Sequence, residues 1–180
     1  RYTLNAEEAA AAPEGTKMVD HKMSKGKYKY ALAVSPLDCM GCSVCVSVYP
    51  TKSLKMVGQE SQLGEQKVFD YMVKDVTVKS DVAGTDNVIK SQYLKPYLEF
   101  SGSCAGCAET SYARLVTQLF GNRMYVSNAT GCSSIWGGPA ATSPYCMDKN
   151  GKGVAWANSL FEDNAENGYG MYLGQKVLRE

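Results

Sequence analysis

The alternation of apolar and polar residues changes along the chain, and the first 29 residues show little periodicity. Residues Ala6–Pro13 predict one or two turns of helix, which end at Pro13-Glu14-Gly15. The rest of this stretch is polar, and we predict that residues 1–29 form an extended arm lying on a larger body. His21, the one histidine of the chain, is predicted to be a surface residue of that arm.

Residues 30–90 form the next predicted segment, in which short strands dominate. Aromatic or apolar residues alternate with polar or small ones over Tyr28–Val34, which predicts a strand. The apolar run Ser53–Val57 predicts a segment that closes a hairpin, and the composition of Phe69–Val78 predicts another strand. The composition changes again after Lys90, where we place a domain boundary.

Residues 91–180 have the pattern of an α/β domain, so that the whole chain is predicted to be of the α+β or α/β class. The helix predicted over Glu109–Phe120 has one apolar face with the spacing i, i+3, i+4 and i+7, and Gly121 ends it. A strand over Met124–Ser127 leads into a loop over Asn128–Ser134, the position at which α/β proteins bind ligands. The apolar face consists of Tyr112, Leu115, Val116 and Leu119.

The amino-acid composition is that of an ordinary folded protein and does not by itself indicate a function. The chain is 44% hydrophobic, and its 19 basic and 18 acidic residues leave a net charge of +1, which argues against nucleic acid or an anionic membrane as a partner. No apolar stretch approaches the roughly 20 residues that a transmembrane helix needs. The chain begins at Arg1 without a signal-peptide pattern, and we expect that its natural start has been removed.

Seven cysteines are the unusual feature, and their spacing differs from that of a disulfide framework. Repeated Cys-x-x-Cys spacing is typical of a metal held by thiolates, which predicts a reducing compartment, either the cytoplasm or the interior of an organelle. Two trios and one single cysteine make up the set: Cys39, Cys42 and Cys45; Cys104, Cys107 and Cys132; and Cys146.

The first trio lies in a run that matches the bacterial ferredoxin pattern C-x-x-C-x-x-C-x-x-x-C-P, except that Tyr49 stands where the fourth cysteine is expected. Gly41 is predicted to form the turn that directs the three thiolates to one cluster. Because one ligand is missing, three readings stay open. The site could hold a cluster with an outside ligand, hold a three-iron cluster, or be a packed or zinc-binding knuckle without iron.

The second trio lies in stretches that resemble pyruvate:ferredoxin (flavodoxin) oxidoreductases. Together with the first trio, these stretches cover most of the chain from Tyr30 onward. The resemblance implies the second half of a two-cluster ferredoxin-like domain over residues 30–90, followed by the N-terminal part of a thiamine-diphosphate-binding domain over residues 91–180. The matching stretches are Leu98–Thr110, Leu115–Gly121, Asn128–Gly138, Trp156–Glu166 and Tyr169–Met171.

The resemblance also implies that Cys104, Cys107 and Cys132 bind a proximal [4Fe–4S] cluster. Cys107 is predicted at the start of a helix, where amide donors and the helix dipole favour an anionic thiolate. The family's fourth ligand lies beyond Glu180. Cys146 could replace that ligand, although a role as a small buried apolar residue is the preferred reading.

In this family the reaction is the oxidative decarboxylation of pyruvate with coenzyme A, and electrons leave through clusters to ferredoxin. The Gly-Asp-Gly signature of thiamine diphosphate and magnesium does not occur in the sequence, so we expect that this chain alone does not bind that cofactor or catalyse the reaction. Glu162, Asp163 and Asn164 are predicted to be loop and cap residues rather than cofactor ligands.

Three functions therefore remain open. The first is an electron-transfer fragment with one or two [4Fe–4S] clusters, and the second is a non-catalytic structural or docking subunit of a larger redox assembly. The third is a zinc-binding interaction module. In the first two cases the predicted partners are other chains of a redox complex, with ferredoxin as a further candidate. We expect a truncated domain to leave apolar surface uncovered and to be unstable as a free monomer.

Overall fold

The computed structural model describes all residues, 1–180, and separates into two compact units, Arg1–Lys95 and Pro96–Glu180. The chain is mixed α and β, with a three-stranded sheet in the first unit and a two-stranded sheet in the second. None of its helices is both long enough and apolar enough to cross a membrane.

The first unit begins with a small antiparallel sheet of order β1-β3-β2. Its strands are β1 (Tyr2–Leu4), β2 (Met18–Asp20) and β3 (Lys29–Ala31). Helix α1 (Ala6–Ala11) connects β1 to β2 and begins with a capping box, in which Asn5 and Glu8 each accept a hydrogen bond from the other's backbone amide. The prediction of an extended arm over residues 1–29 is therefore wrong.

The arm prediction failed because the apolar residues that anchor this segment are few and widely spaced. Leu4 is fully buried and Ala31 is nearly so, and both share a core with residues of helix α3 (Glu65–Lys74). Strands β1 and β2 are too short to bury their own side chains. The residues that cover them lie about 65 positions later in the chain. Such contacts leave no periodic signal in the first 29 residues.

Helix α3 corrects the strand predicted over Phe69–Val78. The buried residues Val68, Met72 and Val76 are four positions apart, so they line one side of a helical path. The composition of the segment favoured a strand. Its first part is helical because the buried residues pack on one side, against the N-terminal sheet. The run Ser53–Val57 forms neither a strand nor a hairpin, and its Met56 and Val57 are exposed.

A buried ion pair joins α1 to the chain after α3. The Glu8 carboxylate accepts hydrogen bonds from Lys79 Nζ at 2.6 and 2.7 Å, from the Thr77 amide at 2.9 Å and from the Thr77 hydroxyl at 2.8 Å. Burial acts to raise the pKa of Glu8, but the hydrogen bonds from Lys79, Thr77 and Asn5 outweigh it and lower the pKa from 4.5 to about 2. Every oxygen of this carboxylate is therefore partnered in its charged form.

His21 is buried, and the prediction of a surface histidine is wrong. Its ring packs against those of Tyr30 and Tyr93, and its Nε2 is 3.1 Å from the Tyr93 hydroxyl. The backbone amide of His21 donates to the carbonyl of Tyr28 at 2.9 Å, which turns the chain after β2 back toward β3. The polar neighbours of His21 in sequence concealed this position.

The second unit is built on two parallel strands, β4 (Tyr125–Asn128) and β5 (Ala155–Asn158), whose last residues are register partners. Helix α6 (Cys132–Gly137) follows β4, and helix α7 (Asn164–Val177) follows β5 and lies against β4. Because α6 begins at Cys132, the loop predicted up to Ser134 ends three residues earlier than expected.

The first unit also contains two short helices, α2 (Val44–Val48) and α4 (Val88–Ser91).

Helix α5 (Ala108–Phe120) has nearly the predicted bounds, but most of its apolar face is exposed. Tyr112, Leu115 and Val116 are exposed, with 70% of Tyr112 accessible, whereas Thr117 and Gln118 are buried. The Thr117 hydroxyl donates to the carbonyl of Ala113 at 2.8 Å, so this polar side chain is satisfied within its own helix. The periodicity thus predicted the helix but not the side that the unit covers.

Gly121, at the end of α5, allows close packing against Tyr97. A Cβ at this position would lie 2.6 Å from Tyr97 Cγ, so Gly121→Ala is expected to lower the free energy of unfolding by about 2 kcal/mol as the ring moves. Urea unfolding of the full chain, monitored by tryptophan fluorescence, measures this loss. The fluorescence reports on the second unit because Trp136 and Trp156 both lie in it. Gly170→Ala, which meets nothing within 4 Å, is the control, and equal losses in both variants would contradict the expectation.

Candidate cysteine sites

The first trio lies on a loop with two consecutive left-handed turns. Gly41 has φ of +67°, as its predicted role in the turn requires, and Ser43 has φ of +62°. Cys45 lies in α2, and the Cys45 carbonyl accepts a hydrogen bond from the Tyr49 amide at 3.2 Å. The three thiols are free and exposed, and Tyr49 is 45% exposed.

A fully buried serine anchors this loop. The Ser35 hydroxyl lies 2.5 Å from the Asp38 carboxylate and 2.9 Å from Gln66 Oε1. The Ser35 carbonyl accepts a hydrogen bond from the Cys39 amide at 3.2 Å. Gln66 also accepts a hydrogen bond from the Leu37 amide at 3.4 Å, so the start of α3 holds the approach to the cysteines. Sequence reasoning did not identify Ser35 or Gln66, because neither belongs to a cysteine motif.

Cys104 and Cys107 are brought together by a tight turn. The Cys107 amide donates to the Cys104 carbonyl at 3.0 Å, and Gly106 has φ of +73° in this turn. Cys107 directly precedes α5, as predicted, and its carbonyl accepts a hydrogen bond from the Thr110 hydroxyl at 2.9 Å. Cys107 is half-buried, whereas the Cys104 side chain is exposed.

Cys132 is the first residue of α6, four residues after the end of β4. The backbone before Cys132 is tied to the side chain of Ser134, which donates to the Ala129 carbonyl at 2.7 Å and accepts from the Gly131 amide at 3.2 Å. The thiol itself is free and exposed. The last residue of β5, Asn158, also contacts this loop, and no motif predicted that contact.

The residues of both trios suit a cluster in donor type, because all six are cysteines and none of them is in a disulfide. The turns that bear them also have the backbone freedom that a cluster loop needs, through Gly41 and Gly106. However, the structure brings no three side chains of Cys, His, Asp or Glu into a group that could hold a metal ion. The predicted convergence of each trio is not present in this arrangement.

Two further residues considered in the sequence analysis, Cys146 and Asp163, belong to neither cysteine trio. The Cys146 thiol lies 3.5 Å from the Pro144 carbonyl and is half-buried. Asp163 is at the N-cap position of α7, in line with the predicted loop and cap role, although its side chain makes no capping hydrogen bond. Asp163 Oδ1 is buried without a hydrogen-bond partner.

A cavity of about 640 Å³ in the second unit was not predicted from the sequence. Strand β4 and the second half of α7 line it, and no cysteine is among the lining residues. It is therefore separate from the cysteine sites. Its lining residues are Tyr125, Ser127, Gly168, Met171, Tyr172, Gln175, Lys176, Arg179 and Glu180.

The mixed α and β architecture and the Cys-x-x-Cys turn before a helix are in line with a segment of an oxidoreductase. No family model matches the chain. The chain is nevertheless a homologue of a segment of the pyruvate:ferredoxin (flavodoxin) oxidoreductases, and this confirms the resemblance predicted from its motifs.

The similarity to individual relatives extends over almost the whole chain. The chain is 52% identical over 179 residues to the pyruvate-flavodoxin oxidoreductase of Klebsiella pneumoniae and 49% identical over 179 residues to the pyruvate:ferredoxin oxidoreductase of Moorella thermoacetica, covering 98% and 96% of this chain. It is 43% identical over 182 residues to the pyruvate dehydrogenase [NADP(+)] of Cryptosporidium parvum, covering 99% of this chain. The chain spans only 15%, 15% and 9% of the length of these three relatives.

Proposed function

We propose that this chain is an electron-transfer segment of a pyruvate:ferredoxin (flavodoxin) oxidoreductase, in which the two cysteine trios bind [4Fe–4S] clusters. The observation that carries the proposal is the set of six free thiols within a sequence 52% identical to a pyruvate-flavodoxin oxidoreductase over 98% of the chain. When bound, such a cluster accepts and passes on one electron at a time. Residues 30–90 are then the ferredoxin-like part, and residues 91–180 are the start of the thiamine-diphosphate domain.

Each trio has its own means of presenting thiolates. In the first, the left-handed residues Gly41 and Ser43 turn the backbone so that Cys39 and Cys42 precede α2 while Cys45 lies within it. The buried Ser35 holds the start of this loop. Exposed thiols suit a site near the surface, where a small electron carrier such as ferredoxin or flavodoxin could approach.

In the second trio, Cys107 occupies the N-terminal end of a 13-residue helix, whose first turn offers unpaired amide groups. These amides and the helix dipole stabilise a thiolate and an anionic cluster. Cys104 is joined to Cys107 by the turn described above, and Cys132 is the first residue of α6, which follows β4. The decarboxylation of pyruvate and any thiamine diphosphate site are proposed to need the rest of a larger assembly.

A second candidate function is a structural or docking segment that has lost one or both clusters. Two observations favour it: Tyr49 replaces a cysteine of the ferredoxin pattern, and neither trio forms a metal-binding group. The exposed Tyr112, Leu115 and Val116 of α5 would suit a segment whose role is to contact other protein surfaces.

Iron and acid-labile sulfide in the anaerobically purified full chain test these alternatives. The wild type, reconstituted with an added thiol as outside ligand, is expected to bind about four iron atoms per occupied trio. Cys42→Ser and Cys132→Ser should each remove the iron of one trio and leave that of the other. Cys146→Ser is the matched control and should retain all of it.

Three outcomes would reject the electron-transfer proposal. Absence of iron from the wild type would favour the structural role, and zinc without sulfide would indicate a zinc-binding module. Equal iron loss in Cys132→Ser and Cys146→Ser would show that the second trio has been assigned wrongly.

A further inference from the structure

Asparagine is followed directly by glycine at two places in the second unit, Asn150 before Gly151 and Asn167 before Gly168. Glycine has no side chain to shield its backbone nitrogen, so this nitrogen can attack the side-chain amide of the asparagine before it. Asparagine is a thermally labile residue for this kind of reason. Because both sites have the same reacting groups, the fold decides whether they differ.

The first site lies at the tip of a surface hairpin. The Gly151 amide donates to the Asp148 carbonyl at 3.1 Å, and the Asp148 amide donates to the Lys152 carbonyl at 2.8 Å. Gly151 has φ of +73°, and both Asn150 and Gly151 are exposed. The hydrogen bond that Asn150 makes here is that of its backbone amide, which donates to Asp148 Oδ1 at 2.8 Å. Its side-chain amide is left to solvent.

The second site lies inside helix α7. The Asn167 amide donates to the Asp163 carbonyl at 2.9 Å, and the Gly168 amide belongs to the same ladder of helix hydrogen bonds. Asn167 Nδ2 donates to Ser127 Oγ at 2.5 Å, and both Asn167 and Gly168 are half-buried. Attack at this site requires the side chain to leave Ser127 and the helix to open.

The reaction needs only solvent water as a co-reactant. The Gly151 nitrogen, after losing its proton to solvent, bonds to Asn150 Cγ, while the Cγ–Nδ2 bond breaks and Nδ2 leaves as ammonia. Water then opens the cyclic imide at either carbonyl and gives aspartate or isoaspartate, without a change in oxidation state. At the hairpin tip the attack breaks the single 3.1 Å hydrogen bond of the Gly151 amide, which an exposed turn gives up at low cost.

We propose that Asn150 is a modification site at which the folded chain converts, without an enzyme, to aspartate and isoaspartate, whereas Asn167 is protected. The product places a second carboxylate beside Asp148, whose Oδ1 already accepts from the amides of Asn150 and Lys152. Isoaspartate also lengthens the main chain, so the pairing of Asp148 with Lys152 cannot keep its geometry. This site belongs to neither cysteine trio and does not depend on the proposed function.

Mass spectrometry of the wild-type full chain measures conversion at both sites, after incubation without oxygen in mildly alkaline buffer and proteolytic digestion. Conversion at Asn150 is expected to be at least about tenfold faster than at Asn167, and its product should include isoaspartate. Equal rates, or faster conversion of Asn167, would overturn the proposal. Aspartate without isoaspartate at Asn150 would also overturn it, because opening of the imide gives both.

Unfolding in urea separates the effect of the fold from that of the sequence. Both asparagines precede glycine, so the two rates should become similar once the chain is unfolded. If Asn150 kept its full advantage in urea, the hairpin and the helix would not be its cause, and the proposal would fail. In urea, Gly151→Ala should slow conversion at Asn150 and leave Asn167 unchanged, and no change at either site would reject the imide route.

Hydrogen exchange of the isoaspartyl form, separated by anion exchange, tests the effect on the hairpin. The amides of Asp148 and Lys152 are expected to exchange about tenfold faster than in the unmodified chain, since their hydrogen bonds depend on the length of the turn. Asn150→Asp is the matched control, because it adds the charge without lengthening the main chain, and should change exchange less. Unchanged exchange in the isoaspartyl form would overturn this consequence.

Discussion

Replacing Lys79 by methionine is expected to lower the free energy of unfolding of the first unit by about 3 kcal/mol, because the Glu8 carboxylate then stays buried without its cation. The Lys79 side chain is only 8% exposed and that of Glu8 12%, so solvent cannot replace the lost partner. Urea unfolding of the full chain by far-UV circular dichroism measures the change.

The control is a lysine with an exposed partner. Lys27 forms an ion pair of similar length with Asp81, 2.7 Å, but its side chain is 62% exposed. Lys27→Met is therefore expected to leave the unfolding midpoint almost unchanged. Similar losses in the free energy of unfolding of both variants would show that the buried Glu8–Lys79 pair stabilises the protein no more than the exposed Lys27–Asp81 pair.

The same pair predicts how stability depends on pH. Because the pKa of Glu8 is lowered from 4.5 to about 2 on folding, its contribution is present above pH 4.5 and is lost as the pH falls toward 2. This contribution amounts to about 3 kcal/mol. The Lys79→Met variant should lose less stability than the wild type over this range, and parallel pH profiles would contradict the assignment.

Replacing Met72 by alanine is the second change with a large expected effect, a loss of about 3 kcal/mol in the free energy of unfolding. Met72 is 1% exposed and belongs to the core that joins α3 to Leu4 and Ala31. Its removal leaves a cavity where helix and sheet meet. Urea unfolding, with hydrogen exchange of β1 as a local probe, measures the loss.

Met23→Ala is the control in the same unit, since Met23 is 56% exposed and outside this core. The expected change is below about 0.5 kcal/mol, as for most surface substitutions. If β1 stayed protected in Met72→Ala, the first strand would have to be held by something other than this core.

Features that depend on near neighbours in sequence were predictable. The helix over residues 108–120 follows from its apolar spacing and the glycine after it, and β4 from its short apolar run. Gly41 could be assigned to a turn because only glycine adopts positive φ at no steric cost. The resemblance to pyruvate:ferredoxin (flavodoxin) oxidoreductases also rested on local motifs, and the comparisons confirm it.

Features that depend on distant contacts were predicted wrongly or missed. The first part of the strand predicted over Phe69–Val78 belongs to helix α3, which ends at Lys74, because the N-terminal sheet packs against the buried stripe of that helix. His21 is buried because Tyr93, 72 residues later, supplies a partner. The apolar face of α5 is exposed although its spacing is that of a core face. In each case tertiary packing overrides the local preference.

The sequence alone identified the candidate ligand residues, since thiols at fixed spacing define a candidate cluster ligand set whatever surrounds them. Only the tertiary structure decided what supports the loops that bear those thiols: Ser35 and Gln66 at the first loop, and Asn158 at the loop of Cys132, which it contacts at Ser134. The physical reason is that a ligand motif lies in one short stretch of chain. Its supporting hydrogen bonds join residues about 30 positions apart, and only folding brings these together.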